Sequence, residues 1–266
     1  MYFVTIYEEV SFVKRHIPFL SFMLALLLLL CGCRTEKHIG VFEMPSYVAV
    51  PQNTENGIAF TLFFPAQQKR LQKQLESVVS CSFENAEVYG LEVSGFSLEQ
   101  TDSNTPNPKY LTFGLILNYV CSRQGTFTVN QLNLICPDTV LELPLSPIYF
   151  DVGEETGNAY VDPWSSPAAS SNPEQLLCNY QFSDMVDACQ IYYAPDQFVE
   201  LSAEQLSDGE IRIPLDQSGL MTYICTKIII EIDGKSYTTY GKGCLCGALQ
   251  TITDETLDVL YSTQQP

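Results

Sequence analysis

Histidine is nearly missing from this 266-residue chain, which carries only His16 and His38. His16 falls in an apolar N-terminal leader and His38 just beyond it, so the body of the chain has no imidazole to act as general base, proton shuttle or metal ligand. That argues against Ser-His-Asp and Cys-His catalysis and against His-based zinc or iron sites. Tryptophan occurs once, at Trp164. Positive charge is also scarce: 13 Lys+Arg stand against 31 Asp+Glu, a formal net charge of −18. Duplex affinity depends on cations that neutralise phosphates, so no nucleic-acid partner is expected. The same deficit argues against a body lying flat on anionic lipid. A GxxxxGK[ST] phosphate loop and an EF-hand pattern are absent, and no cofactor is implied.

The first thirty-three residues carry an address. Lys14 and Arg15 precede an apolar run from Ile17 to Leu30, the order of a basic n-region and an h-region in a secretory signal. A membrane helix needs about 20 apolar residues, so this shorter run, with Pro18 near its start, suits a cleaved leader better than an anchor. The long stretch before Lys14 suggests initiation further down the chain. Leu30-Cys31-Gly32-Cys33 resembles the lipobox of bacterial lipoproteins, where a Leu three residues before an invariant Cys and a small residue just before it admit the lipid-transferring enzyme and the signal peptidase. The resemblance covers the leader alone. It implies that Cys33 becomes the lipidated first residue, the chain being held at the cell membrane or outer membrane and facing outside the cytoplasm. Cys31 fits worse, because the residue before it is the bulky Leu30. Two acyl chains on one cysteine give the hydrophobic hold that stable anchoring needs.

The remaining sequence reads as all-β: two tandem antiparallel β-sandwich domains of immunoglobulin-like type with minor helix. The expected divisions are a leader (1–32), a lipidated tether (33–45), a first sandwich (46–150), an acidic then Pro/Ser-rich linker (151–173) and a second sandwich (174–266). A single larger sandwich competes with this. Leu115, Leu117, Tyr119 and Cys121 alternate onto one face, as do Leu132, Leu134 and Cys136, and again Ile211, Ile213 and Leu215. Pro137-Asp138-Thr139 breaks the chain, and Gln217-Ser218-Gly219 turns it. Met221 to Ile232 reads as one long strand ending at Asp233-Gly234, a pair suited to a type I′ hairpin. Laying Gly125 over Gly219 gives a weak internal repeat. The Cys, Trp, Cys core of true immunoglobulin domains is missing, since Trp164 lies in the linker. Helical spacing appears in Gln67 to Val79 and in Leu257, Leu260 and Tyr261.

Eight cysteines lie outside the leader: Cys81, Cys121, Cys136, Cys178, Cys189, Cys225, Cys244 and Cys246. An even number in an exported chain favours at least one disulfide, although Cys121 and Cys136 also read as small buried hydrophobes. Gly241-Lys242-Gly243-Cys244-Leu245-Cys246-Gly247 is the densest constellation. Its CxC pair suits a soft metal, but zinc needs two more ligands that no CxxC supplies, so a glycine-rich turn with buried thiols is the simpler reading. Asp151, Glu154, Glu155 and Asp162 offer calcium-type oxygen donors, against the plainer reading of a solvated acidic loop. Tyr192-Tyr193 and Trp164 offer faces for stacking on sugar rings, against core filling. Carboxylate pairs for glycoside hydrolysis have no local motif. The favoured function is a membrane-anchored, non-enzymatic interaction or structural lipoprotein with an unknown envelope protein or glycan partner. The alternatives are a carbohydrate- or calcium-binding lipoprotein and a carboxylate-dependent glycoside hydrolase. No catalytic, cofactor or metal residue is nominated; the one site residue is Cys33.

Overall fold

The computed structural model describes residues 38–42, 44–101, 108–162, 169–170, 172, 174–215, 221–247 and 253–264. Ile39–Pro266 clusters as a compact unit distinct from Met1–His38. The leader with Cys31 and Cys33, the linker residue Trp164 and the Gln217-Ser218-Gly219 turn lie outside the described residues.

In chain order the elements of the first half are β1 (Gly40–Val41), β2 (Met44–Pro51), β3 (Glu55–Pro65), α1 (Lys69–Glu76), β4 (Ser80–Phe83), α2 (Ala86–Tyr89), β5 (Leu91–Gln100), β6 (Tyr110–Cys121), β7 (Gly125–Cys136) and β8 (Thr139–Gly153). Then follow β9 (Val161–Asp162), β10 (Ala169–Ser170), β11 (Gln175–Asn179), β12 (Gln181–Phe182), β13 (Ala188–Ala194), β14 (Gln197–Glu200), α3 (Ala203–Asp208), β15 (Glu210–Pro214), β16 (Met221–Cys225), β17 (Lys227–Ile232), β18 (Lys235–Tyr240), β19 (Cys244–Gly247) and α4 (Asp254–Thr263).

A four-stranded sheet, β1-β3-β6-β5, packs against a seven-stranded one, β10-β19-β16-β2-β8-β7-β4. Alternation directs Phe60, Leu62 and Phe64 of β3 and Leu115, Leu117, Tyr119 and Cys121 of β6 inward, where they meet Val48, Leu132, Leu134 and Phe150 from the other sheet. Each such side chain contributes roughly 1.5–3 kcal/mol of burial free energy. Leu71 and Leu75, four apart on α1, close one end of this core. The second core lies between β11-β15 and the sheet β14-β13-β17-β18. It joins Leu176, Cys178, Ile211 and Ile213 to Cys189, Ile191, Ile228, Ile230 and Ile232, with Cys244 and Cys246 of β19. The structure is therefore predominantly β, built as two sandwich cores. Asp233 (φ 50°) and Gly234 (φ 71°) make the positive-φ turn between β17 and β18.

Several boundaries differ from the sequence reading. The segment taken as tether, 33–45, already enters the fold: Gly40 and Val41 pair with Phe63 and Leu62, and Ile39, Val41 and Phe42 are buried. Two strand residues are too few to reveal a period. Asp151, Val152 and Gly153 belong to β8 and not to a linker, because β2 supplies ladder partners for them. The run Met221–Ile232 is two strands, β16 and β17, which join different sheets on either side of Thr226. An apolar run carries no mark of where its partners change. Most ladders are antiparallel, but β2 lies parallel to both β8 and β16, and β10 parallel to β19. The halves are also interleaved: Cys225 of β16 packs in the first core, and Leu257 and Tyr261 of α4 pack on Phe42, Phe63 and Tyr110. The Gln264 side chain accepts from the Val41 N–H (2.9 Å) and donates to its carbonyl (2.7 Å), covering the edge of β1.

Candidate functional site

The glycine-thiol segment turns between β18 and β19. A Cβ on Gly241 would meet Thr226 Oγ1 at 2.1 Å and the Tyr180 hydroxyl at 2.8 Å, and one on Gly243 would meet the Tyr223 hydroxyl at 1.7 Å. These glycines serve close packing beneath tyrosines. Cys244 and Cys246 face the second core with Sγ atoms 3.7 Å apart, Cys246 donating to Cys244. That hydrogen bond pulls the Cys244 thiol down and pushes the Cys246 thiol up. Burial pushes Cys81, Cys121, Cys189 and Cys225 up to about 12. All eight cysteines are buried and none is in a disulfide, which corrects the expectation drawn from their even number. Seven fill strand positions facing packed cores, where a thiol acts as a small apolar group, while Cys136 donates to the Gln74 carbonyl (3.2 Å) at the end of α1.

The acidic quartet does not converge. Asp151 lies on β8, where its carboxylate accepts from the Tyr47 hydroxyl (3.0 Å) and pairs with Lys227 Nζ (3.0 and 3.1 Å). The two charged side chains are only 16% and 25% exposed. Burial first, then the Asp151 charge, holds the Tyr47 phenol above its ordinary range. Glu155 accepts from Thr239 Oγ1 at 2.8 Å, while Glu154 and Asp162 are exposed. Among the described residues no three His, Cys, Asp or Glu side chains form a metal-holding group.

Register brings Phe198, Tyr192, Lys227 and Tyr240 into one row across β14, β13, β17 and β18. Tyr192 and Phe198 rings lie 5.0 Å apart at 35°, and Phe198 is 44% exposed. Tyr193 also packs against the second core, and both tyrosines border the buried cluster of Tyr47, Ala49, Ile224 and Tyr240.

Two concave surfaces escaped sequence reasoning. A cleft of about 310 Å³ opens where β2 leads into β3 beside the β18–β19 turn, lined among others by Glu55, Asn56, Glu155, Tyr223, Tyr240 and Lys242. The Tyr223 hydroxyl donates to the Gly57 carbonyl (3.0 Å), and Glu55 accepts from Ser94 (2.6 Å). Its acidic residues lie exactly 100 positions apart in sequence, so no local motif announces them. The second surface is a hollow of about 480 Å³ on α1, lined by Lys69, Arg70, Lys73, Gln74 and Ser77. All three cations are exposed, and none belongs to an ion pair found among the described residues. Three cations within five positions was the legible signal, masked by the acidity of the whole.

No family model and no curated protein matches the chain. Among solved structures it is similar to the tandem Ig repeats of Dlar, at 10% identity over 79% of this chain and 97% of that one, with a TM-score of 0.24. It is also similar to SGBP-B of the Bacteroides ovatus mixed-linkage glucan utilization locus, in complex with a heptasaccharide, at 10% identity over 75% of this chain and 46% of that one, TM-score 0.20. A third is the sialic acid binding region of a Streptococcus sanguinis adhesin, at 11% identity over 66% and 47%, TM-score 0.24. The architecture rests on the strand pairing and cores described above. No helix among the described residues is long and apolar enough to cross a membrane.

Proposed function

We propose that the protein is a lipid-anchored lipoprotein held outside the cytoplasm, whose paired sandwiches act as a non-enzymatic interaction module. The observation that carries this is the order of Lys14-Arg15, the apolar run and Leu30-Cys31-Gly32-Cys33. The non-enzymatic part is supported by where reactive groups sit: all eight thiols outside the leader are buried, and burial pushes four of them up to about 12, while Cys244, which accepts from Cys246, is pulled down. Metabolic palmitate labelling tests the anchor. Label on the wild type that disappears in Cys33→Ala is expected, and label retained in that variant sinks the assignment.

A glycan partner is the second reading, favoured by the Tyr192–Phe198 pair, since sugar rings stack on exposed aromatic faces. Selective signal on a glycan array that falls by about tenfold in Phe198→Ala, a loss of about 1.4 kcal/mol, supports it. Equal binding by the variant removes this surface from consideration.

A further inference from the structure

Three of the 13 basic residues of this acidic chain crowd onto α1 as Lys69, Arg70 and Lys73. Lys73 lies in the last turn, where the helix dipole favours a cation, but local energetics run against Lys69 and Arg70. The first turn carries two cations and no acid, at the end where the helix dipole favours negative charge. Gln68 at the N-cap makes no side-chain cap, and Lys69 and Lys73 are like charges four residues apart. The packing does not demand cations either, because Leu71 and Leu75 alone bury the opposite face. The explanation for the patch therefore lies outside the helix.

Covalent geometry indicates what meets it. The ladder pairs Gly40 with Phe63 and Val41 with Leu62, so the chain traced back from Gly40 runs toward the Pro65 end of β3, which leads directly into α1. Cys33 precedes Ile39 by six residues, a stretch that spans at most about 20 Å. Those residues include Arg34 and Lys37 against the single acid Glu36. A bilayer holding acyl chains on Cys33 is thus within reach of the α1 end of the first sandwich. We propose that the Lys69-Arg70-Lys73 hollow docks on the anionic phospholipid headgroups of the membrane that holds Cys33.

This rests on the lipid-anchor reading. The chain as a whole is too acidic to lie flat on such a surface, but charges beyond about 8 Å are largely screened at physiological ionic strength, so contact at one basic edge is not cancelled by distant acids. On the neighbouring α4, Asp254 and Asp258 contact Lys109, and Asp258 also accepts from Tyr110; Glu255 is exposed there. Glu76, at the far end of α1, accepts from Gln72.

The test reconstitutes the full chain into vesicles of phosphatidylcholine, with or without roughly one-third phosphatidylglycerol, and follows a membrane-impermeant acylating reagent by mass spectrometry. Lys69 and Lys73 should be modified about three-fold more slowly on the anionic vesicles, the difference vanishing in about 0.5 M NaCl. Exposed Lys235 and Lys242 should not distinguish the vesicles. Arg70→Glu should shrink the protection of Lys69 and Lys73. Equal rates on both vesicles, or protection unchanged by Arg70→Glu, overturn the docking. The mass of the peptide containing Cys33, read in the same digest, separates the two ideas. Protection without acyl groups keeps the docking and sinks the anchor, whereas acylated Cys33 without protection does the reverse.

Discussion

The two cores are made of different material. Around β3, β6 and β8 the first is filled by large side chains: Phe127 stacks on Phe150 (5.0 Å, 7°), which meets the edges of Phe83 and Tyr119. The second draws its described buried residues mainly from isoleucines and four cysteines, with no phenylalanine among them. The first core is filled largely by aromatic rings and leucines, the second by β-branched groups and thiols. Yet the halves share hydrogen bonds, because β2 sits between β8 and β16. Difference in composition therefore need not mean independence in folding.

Phe150→Ala is the strongest way to break that comparison. It should cost about 3–5 kcal/mol, as truncation of a buried aromatic generally does. Through β2 the loss should move a single calorimetric transition for the whole unit. Two transitions, with the later one unmoved, would show that the halves melt separately. Next comes the ion pair between them. Lys227→Ala leaves the Asp151 carboxylate largely buried with Tyr47 as its remaining partner, and should cost about 1–3 kcal/mol in urea denaturation. Adding Asp151→Asn should recover part of that; a purely additive double variant would mean the pair does not couple the halves.

Alkaline titration sharpens the contrast. A thiol whose folded pKa is raised stabilises the fold fully below the unfolded value, and that stability is lost as pH climbs from near 9 toward about 12. Each such thiol contributes about 1.4 kcal/mol per pH unit of loss in this window. Cys121→Val in the first core and Cys189→Val in the second should each flatten the fall in stability between those limits, and an unchanged slope in either would mean that burial does not hold that thiol protonated in the folded chain. The smallest effect is confined to the second half. Ser202 accepts from the Gln205 N–H while the Gln205 side chain accepts from the Ser202 N–H, closing a capping box on α3. Ser202→Ala should cost about 1 kcal/mol by chemical denaturation.

Much of the fold was legible because burial writes itself into local periods. Leu115, Leu117, Tyr119 and Cys121 are all fully buried on β6, the Asp233-Gly234 turn joins β17 and β18, and both segments with helical spacing are helices. The site was less legible. Asp151 looked like part of an acidic loop, since its neighbours in sequence are acids and its partners, Tyr47 and Lys227, are 104 and 76 residues away. The basic face of α1 was hidden by a whole-chain sum that averages over surfaces separated by more than a screening length.

By itself the amino-acid order determined which residues alternate and where the chain turns, because each of these is a relation among close neighbours. Only the tertiary structure decided that Met221–Ile232 splits between two sheets, that α4 returns to cover β1 and β3, and that Glu55 and Glu155 come to line one cleft. Those are choices among distant partners. Their free energy comes from surfaces that meet only after the chain has closed loops of a hundred residues or more.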